Sequence, residues 1–114
     1  MTDETPFDVR TSLDSDVLSV EAVGEVDMST APRLLATVDA VSDTARLVVI
    51  DLTEVSFLDS SGLNTLVKAQ RRLSTRGIGL RIVVPADHAV RRVFEIAHLE
   101  DELSIAESAA EARG

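Results

Sequence analysis

Apolar and polar positions along the chain alternate between two rhythms, and the clearest change of rhythm falls between residues 47 and 73. Leu47-Val48-Val49-Ile50 is a continuous apolar run. A short run rich in β-branched residues predicts a strand buried on both faces, as in a parallel sheet. Asp51-Leu52-Thr53-Glu54 reads as a polar turn with one apolar anchor, and Val55, Phe57 and Leu58 return the chain to the core. A helix is predicted to open at Asp59-Ser60-Ser61-Gly62, because Leu63, Leu66, Val67 and Gln70 follow at i, i+3, i+4, i+7 spacing and Leu73 extends the stripe. Asp59 or Ser60 can cap it, since either side-chain oxygen can accept a free first-turn N–H. Gly77 marks its end near Arg76.

The same reading extends to the rest of the chain. Pro6–Ser12 predicts a first strand with Phe7 and Val9 alternating, Asp14-Ser15-Asp16 a turn, and Val17–Gly24 a second strand, the two forming an antiparallel hairpin. Ser29 is an N-cap candidate for a helix from about Thr30 to Ser42. Pro32 sits in its first turn, and Leu34, Leu35, Val38 and Val41 form its apolar stripe. Leu80–Val84 predicts a strand ended by Pro85. Ala86–Ala97 predicts a third helix with Ala89, Val90, Val93, Phe94 and Ala97 inward. Leu103–Ala106 predicts a short last strand, and Ala106–Arg113 a terminal helix prone to fray. The order β-β-α-β-α-β-α-β-α implies an α/β domain: a mostly parallel, mixed sheet of about five strands with an antiparallel N-terminal edge hairpin and about four helices.

Composition bounds this picture. A chain of 114 residues holds one core, which at 45% apolar and 3% aromatic residues is built from Leu, Val, Ile and Ala. Residues 1–5 are expected to be a disordered N-terminus ahead of a single domain over 6–112. The absence of cysteine excludes a disulfide framework and thiolate metal sites. No signal-like or 18-residue apolar run occurs, which predicts a cytoplasmic protein with no membrane contact. A net charge of −9 argues against direct nucleic-acid binding. The charge is uneven: residues 64–92 hold one acidic side chain and seven basic ones, Lys68, Arg71, Arg72, Arg76, Arg81, Arg91 and Arg92. That segment is either a solvated flank or an electrostatic guide for an acidic partner.

Enzymatic readings fail on the residues present. Ser60 and Ser61 lie outside a Gly-x-Ser-x-Gly elbow. His88 and His98, ten residues apart, make neither a catalytic base with a placed nucleophile nor a metal site. No P-loop occurs, and no cofactor is implied. Ser60 itself has two readings, a plain N-cap or a modified serine. A helix N-terminus tolerates an anion, so a phosphoryl group there is compatible with the fold.

The strand, bridge and helix start, Val48-Val49-Ile50-Asp51-Leu52, Phe57 and Asp59-Ser60-Ser61-Gly62-Leu63, resemble the STAS family, specifically the bacterial anti-sigma factor antagonists. Gly24-Glu25-Val26-Asp27 is similar to that family's Gly-Glu-Leu-Asp motif, with Val26 in place of Leu. The resemblance covers nearly all of residues 6–110. At Ala97-His98-Leu99 the chain departs from the small residue and Gly that the family often carries before the Leu. The resemblance implies a single STAS-type domain without enzymatic activity, phosphorylated at Ser60. It implies a partner surface of Asp27, Met28, Ser29, Asp59, Ser60, Ser61, Gly62 and Asn64. The implied partners are an anti-sigma factor that is also a serine protein kinase, and a metal-dependent serine phosphatase. The alternative is a STAS scaffold or a sensor of a small ligand, nucleotide or lipid, with Ser60 serving only as a cap. If the central strands are parallel, Asp27 and Ser60 lie at the same end of the sheet.

Overall fold

The computed structural model describes residues 7–100 and 102–114; the expected disordered residues 1–5 and the start of the first strand at Pro6 lie outside them. The chain runs β1 (Asp8–Asp14), β2 (Val17–Val26), α1 (Ala31–Asp39), β3 (Leu47–Leu58), α2 (Ser60–Thr75), β4 (Gly79–Val83), α3 (Arg91–Ala97), β5 (Ile105–Ala106) and α4 (Ala109–Arg113). The expected element order is met. The sheet order is β1-β2-β3-β4-β5, with β1 antiparallel to β2 and every other pair parallel.

The run Leu47–Ile50 is buried on both faces, as its composition predicts. Val48 and Ile50 join a core shared with α1, α2 and α3, whereas Leu47 and Val49 pack with Val17, Val83, Ala106 and Ala112, beneath α4. The terminal helix is tied down at two points: Ala112 is buried, and Arg113 Nη2 donates to Ser19 Oγ at 2.6 Å. Ser108 Oγ caps it by accepting from Glu111 N.

Several boundaries differ from expectation. Asp51–Glu54 is not a turn, because β3 runs unbroken through it to Leu58. The local turn chemistry is present: Asp51 Oδ1 accepts from Thr53 N at 2.9 Å and from Thr53 Oγ at 2.6 Å. Its effect is a bulge, since Glu21 pairs with Asp51 but Val23 pairs with Glu54. A second skip follows, with Gly24 opposite Val55 and Glu25 opposite Phe57. Each extra residue reverses the alternation of side chains, so Ile50, Leu52, Val55 and Leu58 all reach one core. β4 accompanies β3 only as far as Asp51, and beyond it the Thr53 carbonyl accepts from His88 Nε2 at 3.0 Å. His88 Nδ1 accepts from Val90 N, which defines the Nε2–H tautomer and gives this histidine a structural role.

The third helix starts at Arg91 rather than Ala86, because a turn closed by His88 N to the Pro85 carbonyl occupies the intervening residues. Val90 and Phe94 are buried, but Ala89 and Ala97, expected inward, are exposed. The first helix ends at Asp39 rather than Ser42. The last strand begins at Ile105 rather than Leu103, and α4 at Ala109 rather than Ala106. At the end of α2, Gly77 takes φ +73° while Ile78 N bonds the Leu73 carbonyl and Gly77 N that of Ser74, a Schellman closure. α3 closes in the same way with His98 at φ +58°, so the histidine occupies the left-handed position where a glycine is unstrained.

Candidate functional site

The parallel pairing of β2 and β3 brings two loops together. Val26 and Leu58 are register partners at the carboxyl ends of their strands, and Asp59 N donates to the Val26 carbonyl at 3.4 Å. Asp27 and Ser60 therefore lie at the same end of the sheet. Loops at this end of an open α/β sheet project past the strands and are free to carry function.

Asp59, not Ser60, caps α2. Its backbone is extended, and Oδ1 accepts from Ser61 N at 2.9 Å and Gly62 N at 3.2 Å. Ser60 is then the first helical residue and is exposed, with Ser61 half-buried behind it. Gly62 is buried beneath this surface rather than part of it. A Cβ there would sit 2.6 Å from Leu58 Cδ1, 2.9 Å from Leu58 Cγ and 3.0 Å from Val26 Cγ1. The missing side chain lets the helix start press directly onto the ends of β2 and β3. The serines are thus held against a fixed floor.

The neighbouring loop is built around Asp27. Its Oδ1 accepts from Ser29 N (2.9 Å), Ser29 Oγ (2.8 Å), Thr30 N (3.1 Å) and Thr30 Oγ1 (3.2 Å). The Asp27 carbonyl also takes the amides of Thr30 and Ala31. Asp27 thus supplies the acceptors expected of Ser29, and Ser29 donates instead of capping. Thr30, absent from the expected site, ties the loop together: its hydroxyl donates to the Glu25 carbonyl at 2.7 Å and accepts from Asp27 N at 2.9 Å. The hydrogen-bonding spacing Asp27-x-Ser29-Thr30 is its signal in the sequence.

These bonds, led by that from the Ser29 hydroxyl, lower the Asp27 pKa. Because the folded value lies below the unfolded one, the turn's contribution is present above the unfolded value and is lost as pH falls through the folded one. A carboxyl-detected NMR titration should therefore give Asp27 a midpoint below the ordinary value of about 3.9. The Ser29 and Thr30 amide signals should move with it and stay flat at neutral pH. A midpoint at or above the ordinary value would contradict this geometry.

Between the two loops lies a shallow groove of about 260 Å³, lined by Met28, Ala31, Pro32 and Leu35 on one wall and Ser61, Asn64, Thr65 and Lys68 on the other. Met28 stands at its lip with 79% of its surface exposed. Asn64 is exposed on the helical turn after Gly62. Much of the basic segment has an internal use. Arg72 pairs with Asp39, and Arg76 binds Asp43 Oδ1 and the Val41 carbonyl, fastening α2 to α1 and the loop after it. Arg81 donates to the Ser104 carbonyl and Arg91 to that of Val84. Lys68 is the basic side chain of that segment that lines the groove. Among the described residues no group of three or more His, Cys, Asp or Glu is placed to hold a metal ion. No helix among them is long and apolar enough to cross a membrane.

Residues 8–112 match the family model for the STAS domain. The anti-sigma-B factor antagonist of Listeria monocytogenes is 36% identical over 93 residues, covering 81% of each chain. The crystal structure of an anti-sigma factor antagonist from Mycobacterium paratuberculosis superposes with a TM-score of 0.80 at 28% identity, over 96% of this chain and 95% of that one. SpoIIAA of Bacillus in its phosphorylated form shares the fold, with a TM-score of 0.68 at 19% identity over 95% of this chain and 96% of that one. The chain belongs to the STAS domain family, among relatives that are anti-sigma factor antagonists.

Proposed function

We propose that this chain is a phospho-switched anti-sigma factor antagonist acting in the cytoplasm. Unphosphorylated, it binds an anti-sigma factor that is also a serine kinase and so releases a sigma factor. Phosphorylation of Ser60 breaks that complex, and a metal-dependent serine phosphatase restores it. The binding surface is Asp27, Met28, Ser29, Asp59, Ser60, Ser61 and Asn64, resting on Gly62.

The observation that carries this reading is the division of labour at the start of α2. Asp59 makes the cap bonds, so the fold does not rely on the Ser60 hydroxyl as a cap. Ser60 is exposed at the first helical residue, where the partial positive charge of the helix N-terminus moderates an added anion. The competing reading, a ligand sensor in which Ser60 serves only as a cap, draws on a role that Asp59 fills.

Incubating the purified chain with candidate anti-sigma kinases and ATP, then mapping the product by tandem mass spectrometry, tests the assignment. Phosphate is expected on Ser60, and Ser61→Ala should remain a substrate. Phosphate found chiefly on Ser61 or elsewhere would overturn it.

A further inference from the structure

We propose that β1 is a self-association edge, through which two copies of this chain pair antiparallel about a two-fold axis at Ser12. β1 is the outer strand of the sheet, and its pairing with β2 uses only one of its two backbone edges. An edge strand offers its remaining N–H and C=O groups to another strand unless something blocks it. Nothing among the described residues covers this one: five of its last six residues are exposed, and Leu13 retains 65% of its surface.

Charge selects the occupant and the register. Asp8, Arg10, Ser12 and Asp14 oppose Val23, Glu21, Ser19 and Val17 and share one sheet face. Val9, Thr11 and Leu13 share the other, where with Leu18, Val41 and Ala45 they help line a groove of about 550 Å³. In an antiparallel pair, directly opposed residues lie on the same face, so only registers centred on a residue keep both faces matched. Of the registers that pair at least five residues of β1, centring on Arg10 sets Arg10 against its own copy. Centring on Thr11 sets Asp8 against Asp14. Centring on Ser12 sets Arg10 against Asp14 twice, once on each side of the axis, with Thr11 against Leu13 on the groove side. Opposite charges placed directly across a ladder stabilise it and like charges oppose it. Neither partner is tightly engaged within the chain: Arg10 lies 3.5 Å from both Asp8 and Glu21, and Asp14 lies 3.7 Å from Arg113.

The second copy also covers what the first leaves open. Leu13 of each copy moves onto the shared apolar side, and the two grooves meet across the axis. Ser12 opposes Ser19, near the start of β2, so the pairing leaves the carboxyl ends of β2 and β3 uncovered. A dimer would therefore present two copies of the Ser60 end.

Sedimentation equilibrium of the full chain, from about 20 μM to about 2 mM, reads the association. Five paired residues per strand make a small interface, so weak association, rising across this concentration range, is expected. Arg10→Glu alone or Asp14→Arg alone should weaken it by about tenfold or more, because the two-fold axis repeats each changed pair. The double variant Arg10→Glu/Asp14→Arg rebuilds both pairs with reversed sign and should recover the wild-type constant to within about threefold. Circular dichroism melts of each variant confirm that the fold is retained. A monomer at every concentration would overturn the proposal. So would a dimer indifferent to either single change, or a double variant no better than the singles.

Discussion

Ser60→Asp is expected to weaken binding to the anti-sigma partner by about 30- to 1,000-fold while moving the melting temperature by no more than a few degrees. The loss arises at the interface. Ser60 is exposed beside Asp59 and at the same end of the sheet as Asp27, whose carboxyl is held ionised by the Ser29 and Thr30 bonds. A new anion there adds to existing negative charge and must be desolvated when a partner docks. Burying an uncompensated charge costs several kcal/mol, and a loss of about 2–4 kcal/mol corresponds to that range of affinity. The fold is spared because the cap bonds belong to Asp59. The helix N-terminus also offsets part of the added charge, by about 0.3–1 kcal/mol. Titration calorimetry beside a thermal melt measures both halves. Unchanged affinity, or a melt lowered by tens of degrees, would count against the switch.

Phe94→Ala is expected to do the reverse, with a large loss of stability and no direct loss of partner contact. Phe94 is fully buried and among the largest side chains in the core that α1, α2 and α3 share. Truncating a buried Phe removes its transfer free energy and leaves a cavity, at a cost of about 3–5 kcal/mol. Against a total stability of roughly 5–15 kcal/mol, that is a large fraction. Urea unfolding should show a lower midpoint with the slope preserved, and the fraction still folded should bind the partner with wild-type affinity. A cost below about 1 kcal/mol would mean that α3 contributes little to the core. The two substitutions separate the proposed binding end of the sheet from the packing that supports it.

Much of this was legible in the sequence because side-chain spacing and backbone need coincide. Leu47–Ile50 is apolar throughout because both faces of β3 are covered, and Leu63, Leu66 and Leu73 repeat at helical spacing because one face of α2 is. The proximity of Asp27 to the Ser60 loop followed from parallel strands ending together. Other features were hidden because a local signal was put to a different use. The Asp51–Thr53 bonds are those of a turn, yet between paired strands they form a bulge. Two bulges space the core residues Leu52, Val55 and Leu58 by threes, which does not read as a strand. Asp59 and Ser60 were equally good caps on paper, and only backbone geometry decides between them. Thr30 went unnoticed because its role is four hydrogen bonds to and from Asp27 and one to Glu25, none of which leaves a periodic trace.

In the proposed switch, one charge at Ser60 governs partner binding. The most direct measurement is titration calorimetry of the cognate anti-sigma factor with two preparations of the same chain, one unmodified and one phosphorylated at Ser60. A phosphoryl group adds about −1.5 to −2 charges at neutral pH, more than the Asp substitution can. Tight binding by the unmodified chain is expected, with a loss of at least about 30-fold on phosphorylation and both preparations melting within a few degrees of each other. Tight binding by the phosphorylated chain would contradict the switch.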